Sequence, residues 1–559
     1  MRLLKKYSSS IIFVGLFLII YAWHPFKLGY YSDDWNYLAN LRFEHHISQT
    51  PFNLDILQHY LNCFGNRPFT AIFWYMGYSL FNDSNIGGWQ IYVLLIAFSM
   101  FFSFRLFYKK FIEFIGIKTN TIFDNIPILF FIVIPWISAF TNWISVSMST
   151  MAVTFFLLFL YYLFKGWLEG REYLLKTSIF LVLSLFTYES FYFQWIIFFY
   201  IGWIFKDKIL SGKKAFKLPL IIYSIIQISA IAWNRFSVPY FDYLVVKTSN
   251  AYLLPTFLAN VISMPYAVAA SFVEHSVFII PLLLVIFFFS FGNGKWKLLS
   301  NKIHIRIFIS FVFGILISIG LYAMVGYSIW GLGGRSRTLI VFTLYFLLFL
   351  GIVINQVQKK SLNWYKLLRI SMISILLLFG WNNVRNALDW NKSWKMQKKT
   401  ITDFNYDVIQ KIESEDIILV DLPFRERWVS VFDAQWAVNA QLNYGKYILD
   451  RNFSSINSNH YRLFVLGKNI IHPVKNEPFQ NYWDGEYLYQ FYKDVNSKTG
   501  FDAVFYSREI KFSGNKLWLI KTDNSIKEIT ANQFIKLEPQ KNYDYWITEI
   551  YSKYIKKKP

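Results

Sequence analysis

Cysteine is almost absent from this sequence, which contains 559 residues and a single cysteine, Cys63. One thiol excludes an intramolecular disulfide framework and a metal site built on several cysteines. Charged residues are also scarce, at 16% of the chain, whereas hydrophobic residues make up 55% and aromatic residues 21%. This balance, with a mean hydropathy of +0.33, excludes an ordinary soluble globular protein.

Acidic residues are fewer than basic ones, 34 against 56, and the formal net charge is +22. Nucleic-acid-binding proteins also carry such a surplus, but they present it as a contiguous basic face. Here the lysines and arginines form short clusters between apolar runs, which is the pattern of the positive-inside rule. The charge pattern therefore predicts a membrane protein. Its predicted partner is the lipid bilayer and not a nucleic acid.

Apolar runs long enough to cross a bilayer recur through the first two thirds of the chain. A spanning helix needs roughly 20 apolar residues, and shorter runs suffice when polar ends reach the interface. We predict an all-α polytopic membrane domain with about eleven transmembrane helices. The predicted spans are 10–23, 88–107, 126–141, 147–164, 174–188, 190–205, 217–234, 276–292, 305–325, 338–355 and 366–382.

The apolar run 68–81 is predicted to be a helix lying at the membrane interface, which Trp74, Tyr75 and Tyr78 would suit. A span at this position would move the Lys109 cluster to the other side of the membrane.

Basic clusters alternate with the predicted spans so that all of them fall on one side. They are Arg2/Lys5/Lys6, Lys109/Lys110/Lys118, Lys165/Arg171, Lys206/Lys208/Lys213/Lys214, Lys295/Lys297/Lys302 and Lys359/Lys360. This side is predicted to be cytoplasmic. The protein is thus predicted to lie in a cell (inner or cytoplasmic) membrane, with its amino terminus on the cytoplasmic side. Segments 24–87, 235–275 and 326–337 then face outward.

The composition changes near residue 390, where Asp, Glu, Asn and Lys become frequent. Short strand-like runs, such as Ile417–Val420 and Leu517–Ile520, appear between the polar residues. We predict a transmembrane domain over 1–389, which carries the candidate site residues, and a small extracytoplasmic soluble α/β domain over 390–559.

Two adjacent carboxylates, Asp33 and Asp34, follow the first span at the predicted outer face. Partial burial at an interface raises the pKa of a carboxylate toward that of a useful general base. Acidic residues also suit the first turn of a helix, so a capping role is an alternative for the same pair.

Glu189 lies between two predicted spans, at the same predicted depth as the aspartates. A carboxylate between apolar runs is costly unless it is hydrated, paired or functional. We predict a catalytic role for Glu189, with the polar tip of a tight outward-facing hairpin as the alternative.

Arg335 and Arg337 follow the glycine-rich run Gly331-Leu332-Gly333-Gly334 on the predicted outer side, where positive charge contradicts the orientation rule. Arginine forks bind phosphate through two hydrogen bonds, and glycine-rich backbone approaches anions closely. We predict that these arginines, with Arg235, bind a phosphate group; anchoring to lipid headgroups is the alternative. Further outward-facing candidates are Arg67, His45, His46, Glu274 and His275.

A first span followed at once by an outward Asp-Asp pair, with a many-span body, resembles the GT-C superfamily of membrane glycosyltransferases. The chain is similar to the protein mannosyltransferase and aminoarabinose transferase group, and more so to the bacterial glucosyltransferase-like members that modify surface polysaccharide. This resemblance implies a polyprenyl-phosphate sugar donor, with Asp33 or Asp34 as the catalytic residue and with Arg335 and Arg337 on the donor phosphate, to which we add Arg235. It covers the architecture of residues 1–390 and not the C-terminal region.

The function predicted from these features is transfer of a hexose or pentose from a polyprenyl-phosphate donor to a surface glycan, lipid or protein acceptor. A divalent metal is compatible with this chemistry, although no motif requires one and its ligands are unknown. A flippase or transporter for lipid-linked sugars and a polysaccharide polymerase are the alternatives. Transporters usually carry ionisable or helix-breaking residues near mid-membrane, and the predicted spans have almost none at their centres.

The predicted topology is tested by reporter fusions near residue 450. An odd number of spans and the charge bias both place this region outside, so a reporter that works only outside the cytoplasm should be active there. Activity of a cytoplasm-only reporter at the same position would overturn the topology.

Overall fold

The structure is a computed structural model, and it describes most of residues 2–403 and short stretches after them. The described residues are 2–43, 50–117, 125–171, 173–209, 214–237, 302–324, 333–360 and 362–403, single positions within 254–265, residue 329, and 417–422, 425–426, 429–431, 441, 445, 448–449, 462–467, 491–492, 502–505, 508–510, 517–520 and 526–528. The predicted span 276–292 lies outside the described residues.

The described part of the chain is mostly helical. Its α-helices are α1 (Arg2–Tyr21), α2 (Asp33–Phe43), α3 (Leu54–Cys63), α4 (Pro68–Phe81), α5 (Ile86–Phe114), α6 (Ile126–Val133), α7 (Ala139–Asn142), α8 (Ser147–Glu169), α9 (Leu174–Leu185), α10 (Gln194–Ile204), α11 (Lys214–Phe236), α12 (Lys302–Met324), α13 (Ile340–Lys360) and α14 (Leu362–Asp403). Short 3₁₀ helices cover His24–Phe26, Pro135–Ile137, Ile144–Val146, Glu189–Phe191, Lys206–Lys208 and Gly333–Leu339.

Five helical segments among the described residues are long and apolar enough to cross a membrane. They are Ile86–Phe114, Ile144–Glu169, Phe216–Phe236, Ile303–Met324 and Ser336–Gln356. Two shorter segments, Ser10–Phe26 and Leu174–Leu185, are also apolar. These helices fit the helical membrane protein that the composition predicts, whereas the number of about eleven spans stays a prediction.

The helix ends that carry basic residues gather at one end of the helical bundle. At the end of α5, the Phe114 ring lies 5.4 Å from the ring of Trp167 in α8 and 5.6 Å from that of Phe205 after α10. Lys208 lies over the Phe205 ring at 4.9 Å. We call this end of the bundle the basic end. The opposite end, where α2, α5 and α8 begin, is called the acidic end. Which membrane face each end meets stays a prediction.

Helices α9 and α10 form a hairpin with Glu189 at its turn, as the charge pattern predicts. Tyr173, which precedes α9, lies 5.3 Å from the Lys165 ammonium in α8. Phe199 in α10 lies 5.9 Å from Trp167, also in α8. Both open ends of the hairpin therefore adjoin the basic end, and the turn points to the acidic end.

The two hairpin helices contain 12 and 11 residues, fewer than the predicted spans 174–188 and 190–205. At about 1.5 Å per residue they rise about 17 Å, against a hydrocarbon thickness of about 30 Å.

The predicted span 126–141 is not one continuous helix, and this part of the prediction was wrong. Helix α6 has eight residues and is followed by a 3₁₀ turn that starts at Pro135, by the four-residue α7, and by another 3₁₀ turn at Ile144–Val146. Proline has no N–H to donate and its ring clashes with the preceding turn, so it interrupts the helix. We call residues 126–146 the broken segment.

Side chains from other helices satisfy the backbone that the broken segment leaves open. The Tyr21 hydroxyl donates to the Ile132 carbonyl at 2.6 Å, and the Asn386 amide donates to the Pro135 carbonyl at 3.1 Å. Every residue of the segment is buried. Irregular backbone at membrane depth is tolerated only where protein or a water-filled cavity covers it, and here the protein does so.

Helix α4 exposes aliphatic rather than aromatic side chains. Trp74 and Tyr78 are buried, so they do not serve as the interfacial anchors predicted for this helix. Tyr75, the third predicted anchor, is half-buried, and its hydroxyl donates to the Phe52 carbonyl at 3.1 Å. Ile72, Met76 and Leu80, four residues apart on one face, are exposed. The interfacial position of α4 stays a prediction, now with an aliphatic face toward lipid.

Helix α14 contains 42 residues and is about 63 Å long, about twice the thickness of a bilayer core. It passes the predicted domain boundary at 389/390 without interruption, and that boundary stays a prediction. Near its end, Gln397 Oε1 accepts hydrogen bonds from the Trp35 indole at 2.9 Å and the Gln441 amide at 3.0 Å. The second half of α14 thus joins α2 to the region after residue 403.

The residues that the structure describes beyond α14 include nine short strands: β1 (Ile417–Leu422), β2 (Arg425–Glu426), β3 (Val429–Ser430), β4 (Arg462–Gly467), β5 (Phe491–Tyr492), β6 (Asp502–Phe505), β7 (Arg508–Ile510), β8 (Leu517–Ile520) and β9 (Ile526–Glu528). The largest sheet has the order β4-β1-β8-β9, in which β1 is parallel to β4 and β8. β9 pairs with β8 in the antiparallel sense. Both predicted strand-like runs are therefore strands, whereas the extent of the α/β domain stays a prediction.

Replacement of Gln397 by Met should destabilise the acidic end of the molecule. It removes the acceptor of two buried N–H donors, and an unsatisfied buried donor costs about 1–3 kcal/mol. We expect a lower thermal midpoint in detergent and faster proteolysis after residue 403. The exposed neighbour Lys398, replaced by Met, is the control. Equal behaviour of the two variants would contradict the role of Gln397.

Candidate active site

The turn after the first helix is fixed by the carboxyl group of Asp34. Asp34 is fully buried; its Oδ2 accepts from the Tyr31 N–H at 2.9 Å, and its Oδ1 accepts from the Ser145 N–H at 2.8 Å and from the Ser145 hydroxyl. Ser145 lies in the last turn of the broken segment. Asp34 therefore connects the start of α2 to the broken segment. A residue that only caps a helix would bond within its own helix.

Burial raises the pKa of Asp34 to about 8, from an ordinary value of 3.8. The hydrogen bonds from Ser145 and Tyr31 lower this pKa, and the neighbouring charge of Asp33 raises it. Burial therefore favours the protonated form of Asp34 at a pH much nearer neutrality than is usual for a carboxyl group. Asp33 is partly exposed, with an oxygen 3.5 Å from the Ser32 hydroxyl. Of the two predicted catalytic aspartates, Asp33 is thus the one that a substrate can reach.

Arg337 lies close to this turn through an aromatic contact. Its guanidinium carbon is 5.4 Å from the ring centre of Trp143, and the Trp143 indole donates to the Tyr31 carbonyl at 3.0 Å. The 3₁₀ helix that carries Arg337 is held by a hydrogen bond from the Ala139 N–H to the Ser336 hydroxyl at 3.0 Å. The broken segment therefore positions both the aspartate turn and the arginine.

Glu189 forms an ion pair with Arg67, which sequence reasoning placed only among the further candidates. The Arg67 Nε donates to Glu189 Oε2 at 2.9 Å, and a terminal nitrogen of Arg67 donates to Oε1. The guanidinium also lies 4.5 Å from the centre of the Tyr188 ring. The polar tip of the hairpin is therefore bound to the loop before α4.

A hydroxyl pair joins the Glu189 region to the Arg337 region. The Ser190 and Tyr322 hydroxyls lie 3.2 Å apart, and the Tyr322 hydroxyl interacts electrostatically with both Arg337 and Glu189. A series of contacts thus runs from Asp34 through Tyr31 and Trp143 to Arg337, and another runs from Tyr322 through Ser190 to Glu189. The electrostatic interaction between Tyr322 and Arg337 connects the two. The predicted catalytic residues and Arg337 lie together at the acidic end of the bundle.

The other two predicted donor-binding arginines are less closely joined to this series. Arg235 is exposed near the end of α11, where the Trp233 indole donates to the Gly65 carbonyl at 2.8 Å, beside the loop of Arg67. Arg335 lies in the same 3₁₀ helix as Arg337, and its side chain is outside the described part of the chain. The candidates His45, His46, Glu274 and His275 lie outside the described residues.

Sequence reasoning missed the uncharged residues that bring the charged ones together. Trp143, Ser145 and Tyr322 each lie within or beside an apolar run, so no local pattern distinguishes them from residues of the apolar core. Among the residues that the structure describes, no three His, Cys, Asp or Glu side chains lie close enough to hold a metal ion. The predicted option of a divalent metal therefore has no assigned ligands.

In comparisons with known proteins, no family model and no curated protein matches the chain. The roles of the site residues are therefore argued from geometry and chemistry.

The raised pKa of Asp34 predicts that stability falls as pH increases. The unfolded chain releases this proton near pH 3.8 and the folded chain near pH 8, so the folded state binds more protons between these values and the free energy of unfolding decreases across that window. Asp34→Asn has no such proton and should lose this slope. Thermal midpoints between about pH 5 and pH 8 measure it.

The exposed Asp207, replaced by Asn, is the control for this experiment. An Asp34→Asn variant that keeps the wild-type pH slope would show that another group causes it.

Proposed function

We propose that this protein is a membrane glycosyltransferase that moves a hexose or pentose from a polyprenyl-phosphate donor to a surface glycan, lipid or protein. The observation that supports it is the series of contacts that brings Asp33, Asp34, Glu189 and Arg337 to one end of an apolar helical bundle. A lipid-linked donor keeps its chain in the bilayer and its phosphate and sugar at the interface, which is where such an end would lie.

Asp33 is the proposed general base. It takes the proton of the acceptor hydroxyl as that oxygen forms a bond to the anomeric carbon of the donor sugar. The bond between the anomeric carbon and the phosphate oxygen breaks in the same displacement, and polyprenyl phosphate leaves with that electron pair. One such displacement inverts the anomeric centre. Asp34, buried and fully bonded, acts as a positioning residue for the turn that carries Asp33.

Arg337 is the proposed ligand of the donor phosphate, together with Arg335 and Arg235. A guanidinium presents two parallel N–H donors to two phosphate oxygens and stabilises the charge that grows on the leaving group. The Trp143 ring at 5.4 Å orients the Arg337 guanidinium. We therefore place the phosphate site on the 3₁₀ helix that carries Arg337, beside the proposed base. In this proposal the site lies at the outer face of the cell membrane, and the amino terminus lies in the cytoplasm.

A flippase or transporter of lipid-linked sugars is the second candidate, and the broken segment favours it. Transporters often build substrate sites from discontinuous helices, and residues 126–146 are discontinuous. A polysaccharide polymerase shares the many spans and outward arginines. Transfer of labelled sugar to an acceptor by the purified protein separates the enzyme from the transporter, which would move the lipid-linked sugar without consuming it.

Asp33→Asn should lower the rate of sugar transfer by about 10²–10⁴-fold, because asparagine keeps the size of the side chain but cannot accept the proton. The measurement is release of polyprenyl phosphate from polyprenyl-phosphate hexoses and pentoses by reconstituted protein. Asp55→Asn, an exposed aspartate in the same predicted outer loop, should leave the rate unchanged. Near-normal turnover of the Asp33 variant, at an equal amount in the membrane, would reduce the aspartate pair to a structural role.

A further inference from the structure

The ion pair between Arg67 and Glu189 has the geometry of a phosphate site that a carboxylate occupies. We propose that Arg67 is a phosphate-binding residue, and that Glu189 holds its guanidinium until the phosphate of a lipid-linked ligand displaces the carboxylate. The identity of that ligand as polyprenyl phosphate rests on the proposed function, whereas the exchange of carboxylate for phosphate does not.

The contact is a fork with two hydrogen bonds. Arg67 Nε lies 2.9 Å from Glu189 Oε2, and a terminal nitrogen of Arg67 bonds the other oxygen. Carboxylate and phosphate accept this fork with the same geometry, through two oxygens on one central atom. A phosphate can therefore take the place of the Glu189 carboxylate without a change in the position of Arg67.

The pair is accessible, in contrast to Asp34. The Arg67 and Glu189 side chains are 21% and 25% exposed, whereas Asp34 is 0% exposed. The Tyr188 ring, 4.5 Å from the Arg67 guanidinium, supports the fork from one side. A ligand can thus reach the guanidinium while an aromatic surface keeps it oriented.

Other groups that suit a phosphate lie beside the pair. The Ser190 and Tyr322 hydroxyls are 3.2 Å apart, and Tyr322 interacts electrostatically with Glu189 and with Arg337. Phosphate oxygens accept hydrogen bonds from hydroxyls as well as from guanidinium groups. Arg67 on one side and Arg337 on the other would then bracket the ligand.

The segments that carry the pair stay joined without it. The Thr70 hydroxyl donates to the Thr187 carbonyl at 2.9 Å, and the Trp233 indole donates to the Gly65 carbonyl at 2.8 Å. The first bond connects the first turn of α4 to the hairpin, and the second connects the loop before α4 to α11. Release of Glu189 therefore does not require the two segments to separate, which makes the exchange compatible with the fold.

The test is equilibrium binding of polyprenyl phosphate, without a sugar, to the full chain in detergent. Glu189→Gln removes the competing charge at constant size and should tighten binding by about two- to fivefold, given the modest strength of partly exposed ion pairs. Arg67→Lys removes the fork and should weaken binding by about 10- to 150-fold. Glu113→Gln, which breaks the Lys110–Glu113 ion pair (3.0 Å) in α5, is the matched control.

Unchanged or weaker binding in Glu189→Gln, with a thermal midpoint equal to that of the wild type, would overturn the exchange. If the Glu189→Gln variant is unstable, the Arg67→Lys variant tests the proposal instead. A purely structural ion pair predicts that Arg67→Lys binds phosphate as well as the wild type does. Inorganic phosphate and phosphatidylglycerol vesicles identify the source of the phosphate. Competition by either one, at the concentration at which polyprenyl phosphate binds, would contradict a polyprenyl ligand.

The binding assay involves no sugar transfer, so its outcome is separate from that of the Asp33 experiment. Tighter binding in Glu189→Gln alongside full transfer in Asp33→Asn would retain the phosphate site and reject the proposed base.

Discussion

The carboxyl group of Asp34 connects two parts of the chain on which the rest of the site depends. It accepts backbone hydrogen bonds from Tyr31, in the turn before α2, and from Ser145, in the broken segment. Trp143 in that segment contacts Arg337, and Asp33 precedes Asp34, so both proposed reactive groups are positioned from this junction. The buried carboxyl group is costly in apolar surroundings unless it is bonded, and here both of its oxygens are.

Amide side chains on α14 have a second structural role at the same end of the molecule. Asn386 bonds the Pro135 carbonyl, and Asn383 donates to the Tyr21 hydroxyl at 2.7 Å. Gln397 bonds Trp35 further along. A neutral amide satisfies backbone groups without the desolvation cost of an ion. One face of a single helix thus stabilises the first helix, the broken segment and the first loop together.

Apolar length and charge alternation were enough to predict the main helices and the hairpin turn at Glu189, because these depend on local sequence. The break at Pro135 was missed because an apolar run hides an interruption that other segments stabilise. The partners of the site residues could not be predicted either. Asp34 and Ser145 are 111 residues apart, and Arg67 and Glu189 are 122 apart. Such pairs follow from the packing of whole helices, which periodicity does not specify.

Helix α14 is continuous over about 63 Å, so a small change of angle at one end causes a large displacement at the other. A tilt of about 5° at its first turn would displace its last turn by about 5 Å, which is more than the length of a hydrogen bond. Gln397 and the contacts with Trp35 and Gln441 lie near that far end. A change in the tilt of α14 would therefore alter the contacts that join the first loop to the region after residue 403.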